Sequence, residues 1–97
     1  MTVYVLAQLK IQDARRYQRY VDAFLPVLLR YGGRLLSADT HVRVVEGDWP
    51  CDKAVLMSFT DEDHFRAWSQ SPEYRKIAED RIAGASAQVI LMHAVSG

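Results

Sequence analysis

Residues 2–11, TVYVLAQLKI, decide the fold of this 97-residue chain. Apolar side chains recur at every second position, which is the period of a β-strand with one buried face. The positions between them include Tyr4 and Leu6, so the same strand carries apolar groups on its other face as well. A sheet that contains this strand therefore needs an apolar cover on both sides.

The next segment has the 3.6-residue period of a helix. Asp13 can cap its N-terminus, and Gly32-Gly33 marks its end. Pro26 lacks the amide hydrogen that would bond the carbonyl of Asp22, so we expect it to interrupt the helix with a kink. The apolar stripe of this helix consists of Tyr17, Val21, Phe24, Leu28 and Tyr31.

The middle of the chain predicts two or three strands. The short runs from Arg34 to Ala38 and from Val42 to Glu46 are joined by Asp39-Thr40-His41. They are typical of a bent hairpin or of one strand with a bulge. After a loop, the run from Ala54 to Phe59 predicts a further strand.

The last third of the chain predicts a divided helix and a final strand. Thr60-Asp61-Glu62-Asp63 resembles a capping box, so a helix should start at about Asp61 and run through Trp68. It should restart at Ser71-Pro72, where serine can cap and proline occupies the first helical position. Gly84 ends this helix, and residues 87–95 predict the last strand. One face of the second helical segment carries Tyr74, Ile77, Ala78, Arg81 and Ile82.

The resulting order is βαββαβ, which predicts a single α+β domain over residues 1–97. Right-handed crossovers in this order place both helices on one face of an antiparallel sheet, the ferredoxin-like arrangement. The other face would then expose Tyr4, Leu6, Leu56, Ile90 and Met92. Burying about 500 Å² of such surface contributes on the order of 12 kcal/mol before association costs. We therefore predict a homodimer that packs sheet to sheet.

Composition excludes several classes of partner. Twelve basic residues balance twelve acidic ones, so no basic surface for nucleic acid is expected. No apolar run approaches the roughly 20 residues that a membrane span requires. The N-terminus lacks the pattern of a signal peptide, and one cysteine cannot form an internal disulfide. These features predict a cytoplasmic protein that interacts with neither nucleic acid nor membrane.

Several motifs resemble those of a known family. They are Tyr17-Gln-Arg-Tyr20, Tyr31-Gly-Gly-Arg34, Val45-Glu-Gly-Asp-Trp-Pro50 and Trp68-Ser-Gln-Ser-Pro-Glu-Tyr74 followed by Arg81. In this order they resemble the small bacterial proteins of domain of unknown function family 1330. The resemblance implies a dimeric α/β-barrel fold and no particular chemistry. More distant relatives of that fold include cofactor-free monooxygenases, isomerases of small ring compounds and haem-binding enzymes.

Aromatic and ionisable side chains of the helices suggest a ligand cleft against the sheet. We expect it to be lined by Tyr17, Trp68, Tyr74, Arg81 and His93. The guanidinium of Arg81 needs an acceptor, which could be a small ligand or a neighbouring carboxylate, Glu73 or Asp80. His93 or a tyrosine is the candidate general acid or base for cofactor-free proton transfer or oxygenation, and a core or interface imidazole is the alternative for His93. The alternative is a non-catalytic dimeric binding or assembly module whose aromatic residues serve packing only.

The loop EGDWPCDK, residues 46–53, holds the only cysteine and one of two tryptophans. Trp49 is a candidate pocket residue, although packing in the core or the dimer interface is the alternative. Cys51 is interpreted as an ordinary loop thiol, because the neighbouring Asp52 and Lys53 have opposite effects on its reactivity. The three histidines lack metal-ligand spacing, and no nucleotide-binding glycine motif is present, so neither metal nor cofactor is predicted.

Overall fold

A four-stranded antiparallel sheet and three helices form the fold, and the computed structural model describes residues 1–95. The predicted domain, residues 1–97, thus includes two residues outside the described range. The strand order β2-β3-β1-β4 confirms the ferredoxin-like βαββαβ arrangement, with its second helix divided into α2 and α3. The elements are β1 Val3–Ile11, α1 Ala14–Arg30, β2 Arg34–Asp39, β3 Lys53–Phe59, α2 Glu62–Ser69, α3 Pro72–Gly84 and β4 Ala85–His93.

Short polar side chains fix where the helices start. Asp13 accepts a hydrogen bond from the amide of Arg16, as the sequence predicts. Ser71 accepts one from the amide of Tyr74 at 3.0 Å, and Pro72 follows it in the first turn. The cap of α2 is Asp61 rather than Thr60, so the helix begins one residue later than a capping box at Thr60 implies. Gln70 and Ser71 separate α2 from α3.

Pro26 does not interrupt α1, contrary to the sequence-based expectation. The helix continues for another turn and ends at Arg30, and Gly32, two residues later, has a φ of 78° that favours glycine. Pro26 and Asp22 are both exposed, so water can satisfy the carbonyl that proline leaves without a donor. The prediction failed because proline costs less near an exposed helix end than in a buried turn.

The predicted strand over residues 42–46 is absent, so the hairpin interpretation is wrong. β2 ends at Asp39 and a loop follows to residue 52, in which the side chain of Val45 is 93% exposed. The second alternative, one strand with a bulge that includes both runs, is wrong as well, because β2 ends at Asp39; the register shift of β2 against β3 lies earlier, between Leu35 and Ser37. Residues 42–46 have strand-like composition but no apolar surface to pack against, and composition alone does not make a strand.

The core lies between the helices and one face of the sheet. Alternate residues of β1 are buried there, and the register places Val5 opposite Met57 and Ala7 opposite Val55. Aromatic rings of α1 and α2 complete this core, including Tyr20, Phe24 and Trp68. The buried alternation in β1 is the one predicted from residues 2–11.

The opposite face of the sheet also carries apolar side chains. Leu6 lies between Leu56 on β3 and Ile90 on β4, and Tyr4 pairs with Met92. Because directly paired residues of an antiparallel sheet lie on one face, these side chains form a continuous apolar patch. Ile90 is 52% and Met92 41% exposed, so the patch remains accessible in a single subunit.

Candidate functional site

A cavity of about 420 Å³ lies between the helices and the inner face of the sheet. Its floor comes from the middle of the strands, where Ala7 and Val55 are directly paired. Its walls come from α1, the end of α2 and α3. The lining residues are Val5, Ala7, Leu9, Tyr17, Tyr20, Val21, Phe24, Leu25, Leu35, Ala38, Lys53, Val55, Met57, Phe65, Trp68, Ser69, Tyr74, Arg81 and Val89.

Four of the six predicted site residues line this cavity: Tyr17, Trp68, Tyr74 and Arg81. Tyr74 and Arg81 are seven residues apart on α3, so two turns of helix bring them to the same face. The rings of Trp68 and Tyr74 lie 4.1 Å apart between centroids. Ser71 fixes this pair, because its hydroxyl donates to the carbonyl of Trp68 at 2.7 Å and accepts from the amide of Tyr74.

The tyrosine hydroxyls of the cavity are neutral hydrogen-bonding groups. Tyr20 and Tyr74 share a hydrogen bond of 2.9 Å between their hydroxyl oxygens. Burial raises the pKa of Tyr17 to about 12, although the nearby charge of Arg81 acts in the opposite direction. Burial also raises the pKa of Tyr20, and the neighbouring Tyr74 adds to this shift. At neutral pH these hydroxyls therefore act as neutral donors and acceptors, not as bases.

Arg81 has no carboxylate partner within residues 1–95, and its buried Nε makes no hydrogen bond there. The two carboxylates considered for it from the sequence are engaged elsewhere. Asp80 accepts from Nε of Arg16 at 2.6 Å. Glu73 pairs with Arg30 and accepts from the hydroxyl of Tyr31 at 2.9 Å. The guanidinium of Arg81 is therefore left available to a ligand in the cavity.

Lys53 is a lining residue that the sequence analysis did not select. Its side chain is 9% exposed, and its Nζ lies 4.9 Å from the centroid of the Tyr17 ring. Burial lowers the pKa of this ammonium group. Strand periodicity could have identified it, because Lys53 is two residues from Val55 and so shares the buried face of β3. A cation at a core-facing position is the informative exception to apolar alternation.

His93 and Trp49 lie outside the cavity. His93 is at the far end of β4, opposite Val3, and its Nε2 is 3.3 Å from Oε1 of Glu62. It borders a shallow depression of about 280 Å³ beside the start of α2. Trp49 is a half-buried residue of the loop after β2, and Cys51 in the same loop is a half-buried free thiol.

Residues 1–95 contain neither a metal-binding cluster nor a membrane-spanning helix. No group of three or more histidine, cysteine, aspartate or glutamate side chains is arranged to hold a metal ion in that range. No helix there combines the length and the hydropathy needed to cross a bilayer. The cavity is therefore the site with the most functional side chains in the described part of the chain.

Sequence comparison places the chain in a family. The model of the family described as domain of unknown function (DUF1330) matches residues 2–95. The chain belongs to this family. No curated protein sequence matches it significantly. The description of DUF1330 names no activity.

Solved structures share the fold of this DUF1330 protein at low sequence identity. A protein of unknown function from Rhodopseudomonas palustris has a TM-score of 0.83 and 16% identity, over 99% of this chain and 84% of that one. A dimeric ferredoxin-like protein of unknown function from Jannaschia sp. has a TM-score of 0.76 and 16% identity, over 97% and 100%. SnoaB, a cofactor-independent oxygenase from Streptomyces nogalater, has a TM-score of 0.72 and 16% identity, over 99% and 95%. At such identity the likeness establishes the fold alone.

Proposed function

We propose that this protein is a homodimer that binds a small aromatic compound in the cavity between its helices and its sheet. The observation that carries the proposal is the cavity itself, which Arg81 lines without a carboxylate partner among residues 1–95. Its volume of about 420 Å³ falls within the range of roughly 300–1,000 Å³ that is typical of ligand pockets. Apolar walls with a few converging polar groups are also typical of such sites.

The alternative, aromatic residues that serve packing only, has less support. That alternative expects a filled interior and an Arg81 paired with Glu73 or Asp80. Both carboxylates have other partners, and the aromatic rings border open space. The Nε atom of Arg81 is buried without an acceptor among residues 1–95, which is costly to the protein on its own, so a ligand that supplies the acceptor is the better explanation.

The lining residues limit the chemistry that the cavity could support. It contains hydroxyl, ammonium and guanidinium groups but neither a carboxylate nor an imidazole among residues 1–95. Such a set stabilises negative charge on a bound molecule. A reaction there would therefore suit a compound that binds already ionised, its proton having gone to solvent. Such a bound anion could then isomerise, or react with dioxygen without a cofactor. The oxygenase SnoaB offers a precedent on this fold, and His93 has no part in the proposal because it lies elsewhere.

The dimer in this proposal forms through the sheet faces. The patch around Leu6 and Leu56 is apolar and remains uncovered in one subunit, while the helices cover only the other face. Covering such a patch is favourable by about 25 cal/mol per Å² of apolar area. The dimeric neighbour from Jannaschia supports this association. We further propose that residues 1–97 form one domain and that the protein is cytoplasmic, in keeping with its single free cysteine.

Native mass spectrometry of protein purified from its own host tests both parts of the proposal, because it reports subunit number and retained ligand together. We expect a dimer that carries a small organic molecule. Ala7→Leu would place additional carbons in the cavity floor and should reduce ligand occupancy with the dimer intact. Ala83→Leu, on the exposed side of α3, is the matched control. A monomer would refute the dimer, and equal occupancy in both variants would refute the cavity.

A further inference from the structure

The charged groups of the cavity are all of one sign. Lys53 and Arg81 are its cationic residues, and no aspartate, glutamate or histidine lines it within residues 1–95. The whole chain, in contrast, has equal numbers of acidic and basic residues. The local electrostatics of the cavity therefore differ from those of the protein surface.

Both cations lie near Tyr17 in the cavity wall. Nζ of Lys53 lies 4.9 Å from the ring centroid of Tyr17, which places the ammonium against the π-face of that ring. Arg81 is close enough to the Tyr17 hydroxyl that its charge lowers the pKa of that group against the larger effect of burial. Tyr17 thus marks the polar end of the cavity, where an anionic atom would meet both cations.

The rest of the cavity is apolar and aromatic. Its floor consists of aliphatic side chains from β1 and β3, among them Val5 and Val55. Trp68 and Phe24 stand nearly perpendicular, with ring centroids 6.1 Å apart, in the wall above this floor. Flat aromatic rings fit such a surface, because ring edges and faces pack favourably against one another.

Lys53 and the Nε atom of Arg81 are buried, and neither cation has a carboxylate partner among residues 1–95, so both carry a desolvation cost. Burial shifts the pKa of Lys53 downward, which is the expected sign for an ammonium group that has lost water and gained no counter-charge. An anionic ligand would offset this cost, because charge-assisted hydrogen bonds to an oxygen are among the strongest in proteins. A neutral ligand of the same shape would not offset this desolvation cost.

We propose that the ligand of this cavity is an aromatic anion whose carboxylate or phenolate oxygen is bound by Lys53 and Arg81. The rings of the ligand then lie between the aliphatic floor and the wall formed by Trp68 and Phe24. This inference rests on the proposed function and specifies its ligand class. It distinguishes aromatic anions from neutral polycyclic compounds and from amines. The two cations would repel a protonated amine.

Isothermal titration calorimetry with two matched probes tests the inference. The probes are 2-naphthoate, which is ionised at pH 7.5, and 2-naphthamide, its neutral analogue of similar shape. We expect 2-naphthoate to bind at least about ten-fold more tightly, since a hydrogen bond to a charged group is stronger than one between neutral groups. Equal affinities, or tighter binding of the amide, would overturn the anion assignment but leave the ligand cavity standing. Binding of neither probe would overturn both.

Variants that remove a charge test whether Lys53 and Arg81 cause the preference for 2-naphthoate. Lys53→Met and Arg81→Met should each reduce the preference for 2-naphthoate over 2-naphthamide at least three-fold, and affinity for the amide should change little. Lys76→Met and Arg75→Met remove the same charges from the exposed side of α3 and should retain the preference. A preference that survives both cavity variants would overturn the assignment. Because the comparison within wild-type protein needs no variant, a misfolded variant does not remove the test.

Discussion

Gly84, the last residue of α3, packs against the start of α1, and these two helices carry Arg81 and Tyr17 of the polar end of the cavity. Gly84→Ala should destabilise the protein. The carbonyl of Gly84 accepts hydrogen bonds from the amides of Gln12 at 2.8 Å and Asp13 at 2.9 Å. A Cβ at this position would lie 2.7 Å from the amide nitrogen of Tyr17 and 3.0 Å from the carbonyl oxygen of Asp13. Both neighbours are main-chain atoms, so α3 as a whole must move away from α1.

The magnitude follows from two opposing effects. Overpacking costs about 1–3 kcal/mol, and rigid main-chain neighbours place this site near the upper value. Alanine is favoured over glycine in a helix by about 1 kcal/mol. The free energy of unfolding should therefore fall by about 2 kcal/mol. In a domain of this size that corresponds to a decrease in Tm of roughly 8–16 °C, at about 4–8 °C per kcal/mol.

Urea denaturation followed by circular dichroism measures this change. Ala83→Gly, at the adjacent exposed position, is the control and should cost only about 1 kcal/mol, because it loses helix propensity without a clash. Movement of α3 would also separate Arg81 from Tyr17, so Gly84→Ala should bind 2-naphthoate more weakly and Ala83→Gly should not. If Gly84→Ala proves as stable as the wild type or more stable, the close packing of α1 on α3 is refuted.

Three further predictions concern the interface, the tyrosine pair and pH. Leu6→Glu puts a carboxylate into the outer apolar patch and should give monomers in sedimentation velocity at micromolar concentration. The control Leu29→Glu, at an exposed position of α1, should remain dimeric. A dimeric Leu6→Glu variant would contradict the sheet-face interface. Tyr74→Phe removes the partner of the Tyr20 hydroxyl and should lower the free energy of unfolding by about 1–3 kcal/mol in urea melts; no loss would mean that water replaces the bond. The pKa of Tyr17 is raised to about 12, so its contribution to the free energy of unfolding is present below pH 10 and is lost between pH 10 and 12. In urea melts over that range, the free energy of unfolding should therefore fall less steeply with pH for Tyr17→Phe than for the wild type. Parallel curves would contradict the raised pKa.

Most of the fold could be predicted from local pattern. The period of two in residues 2–11 identifies β1 and both of its apolar faces, and Ser71-Pro72 identifies the start of α3. These signals are local, since they depend on backbone geometry and capping within a few residues. The absent strand at residues 42–46 and the uninterrupted helix at Pro26 depend on which surface lies nearby. Spacing along the chain does not contain that information.

The candidate site was predictable to the extent that it lies on helix faces. Helical spacing brings Tyr74 and Arg81 together, and the structure places both on the cavity wall. Lys53 was not predicted, because a lysine is seldom buried, although strand periodicity places it on the buried face two residues before Val55. His93 could not be located from the sequence, because its distance from the cavity depends on the register between β1 and β4.

The most direct test of the central claim is a crystal structure of the protein grown with 2-naphthoate. The account predicts naphthalene rings in the cavity beside Trp68, with a carboxylate oxygen about 2.7–3.2 Å from Nζ of Lys53 or from the guanidinium of Arg81. A cavity that stays empty while the crystals contain the probe, or a probe seated only on the outer sheet face, would contradict it.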